Sequence, residues 1–275
     1  MEQDITEIRI VENGTCTSYI DSLLVGLFYT PSCIYNKLLE DDPSDIKYMY
    51  LQDIIKYHFI DQLRKSKSVS ANTMNYIRNY IFFNTNWLSN NVILKEQNIA
   101  ELYTHLMKNT SNQYIEIKKT DTLSSTEIIP YIKLEINGQT ETSIKELLYN
   151  WLNEKTKSIN PTIYRINNIP NIVPIYINRF NNNIKNQSSV DIKEKIRLYN
   201  ENDELGKVKW SIHSVICHVG DNIETGHYYT ILVNANRWLM FDNMSVPSIC
   251  EINMSNTSII NKIKRECVML IYKFD

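Results

Sequence analysis

Hydrophobic side chains recur with helical spacing through residues 1–110. The clearest case is the segment 19–29, whose apolar residues lie three and four positions apart, as on the buried face of a helix. Those residues are Ile20, Leu23, Leu24, Leu27 and Phe28. Three further helices are predicted, at 47–66, 71–83 and 97–108. This part of the chain is therefore predicted to be mainly α-helical.

The pattern changes after residue 110. Short runs rich in Ile, Val, Tyr and Trp, bounded by Asn, Gly or Pro, predict β-strands. These runs are 113–119, 127–137, 172–179, 209–218, 226–233, 237–242 and 267–274. A helix with Thr142 as its N-cap is predicted at 142–155, and the polar stretch 181–208 is predicted to form loops or a mobile edge. The predicted fold class is α+β, with a helical lobe against an antiparallel sheet.

The charge balance argues against nucleic-acid and membrane partners. The chain carries 29 Lys and Arg against 31 Asp and Glu, with no basic cluster of the kind that binds nucleic acid. Its apolar runs are far shorter than the roughly 20 residues of a transmembrane helix. The first residues are acidic and lack an apolar stretch, so no signal peptide is predicted.

Cysteine usage predicts a reducing compartment and no metal centre. The chain has five cysteines, an odd number, and no two of them have the Cys-x-x-Cys spacing of a zinc site. We therefore expect a cytoplasmic protein with no cofactor and no metal. Ile and Asn are abundant and Gly occurs only six times, a bias typical of an AT-rich genome.

Two distant segments carry residues that suit nucleophilic catalysis. The first, 13–22, leads into the 19–29 helix, whose N-terminus would stabilise a thiolate. Taken alone it is more typical of a capping turn, with Cys16 as a small buried hydrophobic residue. The second places His227 at the start of one strand and Asp242 at the end of the next. A hairpin would bring these two side chains together, and the carboxylate would then orient the imidazole.

Taken together, these segments resemble the ubiquitin-specific proteases, papain-like cysteine peptidases that cut after the C-terminal glycine of ubiquitin. The family motif Asn-Leu-Gly-Asn-Thr-Cys-Tyr-Met-Asn-Ser aligns without gaps from Asn13 and places Ser18 at the catalytic cysteine. A second motif contains His-x-Gly, Gly-His-Tyr and Trp-Tyr-x-Phe-Asp-Asp. It matches His218, Gly220, Gly226, His227, Tyr228, Trp238, Phe241, Asp242 and Asn243. Residues 170–180 are similar to the family's Pro-x-x-Leu-x-Ile-x-Leu-x-Arg-Phe.

The resemblance implies one papain-like catalytic domain over residues 1–275, with the right-hand architecture of the family. Residues 1–110 would form a helical thumb, 111–165 a reduced finger-like β insertion plus a helix, and 166–275 an antiparallel β palm. The zinc-binding cysteine pairs of the family's fingers are absent. With the AT-rich composition, this absence favours a compact family member from a virus, a protist or an intracellular parasite.

The resemblance also implies the chemistry. A cysteine in place of Ser18 would attack the carbonyl after the last glycine of ubiquitin, with His227 as general base and then general acid. Asp242 would orient His227. The Asn13 side chain and the backbone N–H of residue 18 would stabilise the oxyanion. Asn243 is a second candidate for either supporting role.

The substrate-binding residues implied by the resemblance are Gly226, Tyr228 and Trp238. Gly226 would permit close approach of the substrate tail, and the two aromatic residues would form walls of the site. The expected partner is ubiquitin or polyubiquitin, and the protein is expected to be monomeric.

The departure at Ser18 leaves three interpretations open. The first is an engineered change from Cys to Ser, which the otherwise intact His227, Asp242 and Asn13 favour. The second is a natural pseudo-enzyme. The third moves the nucleophile to Cys16, but this shift breaks the other matches of the first motif. Asp21 also departs from the family, which has Asn at that position.

Three functions of different classes follow from these alternatives. The first is a cysteine deubiquitinase that is inactive as written because of Ser18. The second is a ubiquitin-binding module without catalytic activity. The third is a peptidase for a ubiquitin-like modifier, or an unrelated papain-like protease.

Overall fold

The first half of the chain is mainly helical, and its first helix begins at Ser18. The structure, a computed structural model, describes residues 9–39, 43–85, 87, 97–110, 114–120, 125–136, 138, 140–153, 163–182, 184–198, 209–223, 225–234 and 236–274. Its first helices are α1 (Ser18–Phe28), α2 (Ile34–Leu39), α3 (Ile46–Asp53), α4 (Asp61–Lys65), α5 (Ala71–Asn84) and α6 (Ile99–Thr110). A π-helical segment, Ile54–Ile60, joins α3 to α4. Two short strands, β1 (Ile10–Val11) and β2 (Ser68–Val69), pair in parallel. The four helices predicted in this region are confirmed.

Strands dominate the rest of the chain. They are β3 (Ile115–Thr120), β4 (Ser125–Ile129), β5 (Ile132–Glu135), β6 (Glu141–Ser143), β7 (Ile163–Ile166), β8 (Ile172–Asn178), β9 (Phe180–Asn181), β10 (Ile184–Lys185), β11 (Ser189–Asp191), β12 (Lys195–Ile196), β13 (Trp210–Val219), β14 (His227–Asn234), β15 (Arg237–Phe241), β16 (Ile249–Ile252) and β17 (Cys267–Phe274). Two helices lie among them, α7 (Ile144–Leu152) and α8 (Thr257–Glu266).

An eight-stranded sheet forms the centre of the molecule. Seven of its strands follow the order β16-β15-β14-β13-β17-β8-β5, and β12 pairs with β13. Neighbouring strands are antiparallel except β5 and β8, which are parallel. The predicted α+β class with a mostly antiparallel sheet is confirmed.

Two hydrophobic clusters cover the two faces of this sheet. The first contains α1 and the other N-terminal helices together with sheet residues such as Tyr228 and Phe241. The second contains the apolar face of α7 together with Trp210, Tyr229 and Ile231. Residues 228, 229 and 231 belong to one strand and divide between the clusters, because successive side chains of a strand point to opposite faces.

Helix α1 packs directly on the centre of the sheet, and all of its residues are buried. Ser214 Oγ on β13 donates to the carbonyl of Gly26 at 2.7 Å, and Thr230 Oγ1 on β14 donates to the carbonyl of Ser22 at 2.8 Å. A Cβ on Gly26 would lie 3.2 Å from Ser214 Oγ. The absence of a side chain at Gly26 therefore allows the helix to approach the sheet closely, and this approach brings Ser18 to β14.

The region 111–165 is divided between two sheets. β3, β4 and β7 form a separate three-stranded antiparallel sheet in the order β4-β3-β7. β5 belongs instead to the central sheet, where it pairs with β8. Strands from 111–165 thus contribute to both sheets, and residues 132–135 extend the central one.

Several local predictions need correction. Helix α7 begins at Ile144, and its N-cap is Ser143, whose Oγ accepts from the backbone N–H of Glu146 at 3.2 Å. Thr142 is the middle residue of β6 and donates to the Glu146 carboxylate at 3.1 Å. The stretch 181–208 contains the short strands β10, β11 and β12, and α2, α8 and β16 were not predicted. Within the described ranges, the helices are all too short or too polar to cross a membrane.

Candidate active site

Ser18 lies at the meeting point of the helical lobe and the central sheet. It is the first residue of α1 and is 3% exposed. Its Oγ accepts a hydrogen bond of 3.1 Å from the backbone N–H of Tyr228. Cys16 precedes the helix, in a left-handed backbone conformation with φ of 49°. Of the two candidate nucleophile positions, Ser18 is the one that contacts β14.

His227 and Asp242 meet as the hairpin β14–β15 predicts. The pairing of β14 with β15 ends at Thr230 and Phe241, so His227 and Asp242 both lie just beyond it. His227 Nε2 and Asp242 Oδ1 are 2.8 Å apart. Because an ionised carboxylate only accepts hydrogen bonds, Nε2 carries the proton and Nδ1 is left as the basic nitrogen. The hydrogen bond from His227 lowers the pKa of Asp242, and a second hydrogen bond, from the backbone N–H of Met244, acts in the same direction.

Asn243 joins Asn13 to helix α1. Its Nδ2 donates to Asn13 Oδ1 at 3.2 Å and also to Asp21 Oδ2. Asp21 is fully buried, and its Oδ2 accepts a further hydrogen bond from Thr17 Oγ1 at 2.9 Å. The amide of Asn243 is therefore engaged with Asn13 and Asp21, whereas Asp242 alone holds His227.

His218 supports the start of β14. Its ring is fully buried and stacks edge-on against Tyr228, with a centroid distance of 4.8 Å, and against Phe180 at 5.2 Å. A Cβ on Gly226 would lie 1.8 Å from His218 Nε2, so only glycine fits there. Burial is the main cause that lowers the pKa of His218 to about 3, and the charges of Lys185 and His227 act in the same direction. His218 is therefore a neutral packing group beside His227.

A comparison with known families agrees with this geometry. The sequence model described as ubiquitin carboxyl-terminal hydrolase matches residues 11–272, which is nearly the whole chain and includes all of these residues. The chain belongs to the ubiquitin carboxyl-terminal hydrolase family. The resemblance inferred from the sequence motifs is thereby confirmed.

A curated member of the family shares a short stretch with this chain. Ubiquitin carboxyl-terminal hydrolase 4 of Arabidopsis thaliana is 37% identical over 57 residues, which is 21% of this chain. The matched stretch spans only 16% of the length of that relative.

Solved structures of the ubiquitin carboxyl-terminal hydrolase fold cover the chain completely. The SAGA DUB module with Ubp8, Sgf11, Sus1 and Sgf73 bound to monoubiquitin matches with a TM-score of 0.69 and 13% identity, over 100% of this chain and 70% of that one. The same module bound to ubiquitin aldehyde matches with a TM-score of 0.65 and 16% identity, over 100% and 71%. At these identities the likeness establishes the fold.

The structure separates the three residues predicted to bind substrate, with Trp238 away from Ser18 and with Tyr228 and Gly226 beside Ser18 and His227. Trp238 pairs with Val233 and Ile252 and packs against the second hydrophobic cluster. It lies near the opposite end of β15 from Asp242, so the structure does not bring it to the site. The Tyr228 side chain is buried in the first cluster, and its backbone N–H contacts Ser18. Gly226 adjoins His227, and a Cβ there would meet both the His218 ring and, at 2.6 Å, the carbonyl oxygen of Val219.

The motif comparison did not identify Asp21 and Thr17 as part of the site. One sequence signal could have identified Asp21, because it is the one charged residue of a helix whose other side chains are apolar or small. Charged residues are almost never fully buried unless a partner group holds them. Among the residues that the structure describes, no three His, Cys, Asp or Glu side chains come together as metal ligands.

Proposed function

We propose that this chain has the fold of a ubiquitin-directed thiol hydrolase, with position 18 as the nucleophile and cysteine required there for turnover. The observation that supports this most strongly is the convergence of three elements. Hydrogen bonds join Ser18 at the start of α1 to the backbone of Tyr228, which follows His227. They also join His227 to Asp242 and Asn243 to Asn13. A nucleophile, a base, an orienting carboxylate and an amide donor form the set that acyl transfer requires.

The mechanism follows from the hydrogen bonds that the side chains of the site already make. Asp242 holds Nε2 of His227, so Nδ1 takes the proton of a thiol at position 18. The resulting thiolate attacks the carbonyl carbon after the last glycine of ubiquitin. The N-terminus of α1 stabilises that thiolate, and the Asn13 amide with the backbone N–H of residue 18 stabilises the oxyanion. His227 then returns its proton to the leaving amine, and water hydrolyses the thioester with His227 as base.

Serine at position 18 changes this outcome. Its hydroxyl is far less acidic than a thiol, and an imidazole suited to a thiolate pair activates it poorly. In this structure its oxygen accepts a hydrogen bond from the backbone N–H of Tyr228. The chain with serine at position 18 is therefore proposed to bind ubiquitin without turnover. The serine at this position also favours the second candidate function, a natural ubiquitin-binding module.

We further propose that the protein acts as a monomer in the cytoplasm. The five cysteines are free thiols, as expected in a reducing compartment. Ubiquitin itself is proposed as the partner because the solved structures with this fold are bound to it.

The decisive experiment compares the chain with its Ser18→Cys variant. Both are incubated with a fluorogenic ubiquitin C-terminal amide and with ubiquitin that carries a thiol-reactive C-terminal group. Cys16→Ala in each background identifies the reacting residue. We expect turnover and adduct formation only with Ser18→Cys, and no effect of Cys16→Ala.

Each other outcome would overturn a defined part of the proposal. An adduct on the unmodified chain that Cys16→Ala removes would make Cys16 the nucleophile. Ubiquitin binding by calorimetry without turnover after Ser18→Cys would establish the binding module. If ubiquitin does not bind at all, the substrate would instead be a ubiquitin-like modifier, and the corresponding modifier probes would test this.

A further inference from the structure

Asp21 is a buried carboxylate beside the candidate oxyanion donor. It lies in the first turn of α1 and has no exposed surface. Two groups donate to its Oδ2, the Thr17 hydroxyl at 2.9 Å and the Asn243 side-chain amide. The molecule thus keeps a buried hydrogen-bond acceptor next to the site.

The direction of the hydrogen bonds gives this carboxyl group a function. Because its Oδ2 accepts, Asn243 turns its NH₂ group toward Asp21. The same nitrogen donates to Asn13 Oδ1 at 3.2 Å. Asn13 therefore presents its carbonyl to Asn243 and has its own NH₂ group left for another acceptor. The two ends of an amide have nearly the same shape, and hydrogen bonding decides which end points where.

We infer that Asp21 is a positioning residue that sets the orientation of the Asn13 amide through Asn243. It keeps the Asn13 NH₂ group, and not its carbonyl, directed to the oxyanion that forms when residue 18 attacks. This inference rests on the proposed function.

The test uses Asp21→Asn in the Ser18→Cys background. An amide at position 21 can present either end to Asn243, so the orientation of Asn13 is no longer determined. We expect kcat on the fluorogenic ubiquitin amide to fall about 10²-fold, the typical cost of one oxyanion donor. KM is expected to stay within about threefold, since Asp21 is fully buried and has no surface with which to contact ubiquitin. The matched control is Asp61→Asn, because Asp61 is partly exposed and pairs with Lys65 on α4.

A double-variant cycle separates positioning from a general structural role. If Asp21 acts through Asn13, Asp21→Asn causes almost no further loss of kcat once Asn13→Ala is present. Losses that multiply, or a kcat unchanged by Asp21→Asn alone, would overturn the inference. Parallel loss of thermal stability and ubiquitin affinity would also do so, because Asp21 would then support the fold in general.

A measurement without turnover keeps this test separate from the proposed function. In the chain as written, hydrogen exchange of the side-chain amides is followed by NMR. We expect protected NH₂ protons on Asn243 and rapidly exchanging ones on the exposed Asn13, with the Asn243 protection lost in Asp21→Asn. Protected Asn13 protons with unprotected Asn243 protons would mean the opposite orientation and refute the inference, even if Ser18→Cys proves inactive.

Discussion

One oxygen of Asp242 accepts two hydrogen bonds, from His227 Nε2 at 2.8 Å and from the backbone N–H of Met244 at 3.0 Å. Both bonds favour the ionised carboxylate and lower the pKa of Asp242, against the opposing effect of burial. At the residue scale, the ring of His227 is therefore held in one tautomer by a charged acceptor that the β15 turn has already oriented.

Asp242→Asn in the Ser18→Cys background tests this orientation. The amide can turn its NH₂ group toward the ring and favour the tautomer with the proton on Nδ1, which cannot act as base. We expect kcat to fall by about 10²- to 10⁴-fold, as in other hydrolases whose histidine loses its carboxylate. Steady-state kinetics with the fluorogenic ubiquitin amide measures the loss. Asp45→Asn is the control, because Asn caps α3 as well as Asp does, and an equal loss there would contradict the assignment.

Gly226→Ala tests the packing between His218 and the start of β14. The added methyl group would lie 1.8 Å from His218 Nε2, so the strand or the ring has to move. We expect the free energy of unfolding to fall by about 1–3 kcal/mol, as for an overpacked core. Urea unfolding measures it. In a His218→Ala background the ring is absent, but the Val219 carbonyl oxygen, 2.6 Å from the added carbon, remains. The added loss should therefore be smaller there without vanishing, and an equal loss in both backgrounds would show that the ring is not an obstacle.

At the scale of elements, the start of α7 depends on one hydroxyl. Ser143 has extended backbone angles, and its Oγ accepts from the N–H of Glu146, so the helix begins at Ile144. Sequence preference alone did not distinguish Thr142 from Ser143, because both residue types are good N-caps. The pairing of β6 with β11 decided the matter, since it runs through Thr142 to Ser143, which pairs with Asp191, so the helix begins only after Ser143 and that residue caps it.

Ser143→Ala should therefore destabilise the protein by about 1 kcal/mol, the usual cost of losing an N-cap side chain. Ser143→Thr keeps a hydroxyl and should restore most of this stability. Chemical unfolding of the three proteins measures the difference. Equal stability of the alanine and threonine variants would show that the cap contributes nothing.

At the scale of the whole molecule, the central sheet buries histidines on the face that α1 covers. His213 is 1% exposed and its Nε2 lies 3.3 Å from the carbonyl of Leu27 at the end of α1. Burial lowers the pKa of His213 to about 4 and that of His218 to about 3. Both are neutral when the protein is folded, and both take up protons near pH 6.5 when it unfolds.

Stability should consequently fall as the pH is lowered from about 6.5 toward 5. Over this range the unfolded chain binds protons that the folded chain excludes, and each histidine contributes about 1.4 kcal/mol per pH unit. Urea unfolding at pH 7, 6 and 5 measures the slope. Burial also lowers the pKa of His105 in the helical lobe to about 4, so three histidines contribute. Replacing His218 with Asn should therefore remove about a third of the slope, whereas an unchanged slope would mean that other groups cause the acid sensitivity.

Much of the architecture follows from local patterns. The helix from residue 18 to 28 was predictable because its apolar positions repeat over three turns. The hairpin β14–β15 was predictable because its two strands are strongly apolar and separated by a short polar turn. The short strands within 181–208 were not predictable, since two or three polar residues carry no periodic signal and pair only because a neighbouring strand is already in place.

The sequence by itself determined the family and the His227–Asp242 pair, because these depend on residue types at fixed spacings within two segments. Only the tertiary structure decided that Asn243 bonds to Asn13 and Asp21, that Gly226 makes room for His218, and that Trp238 lies away from the site. These facts depend on where separate segments approach and which way each hydrogen bond points. Neither the approach of distant segments nor the direction of a hydrogen bond is encoded in local spacing.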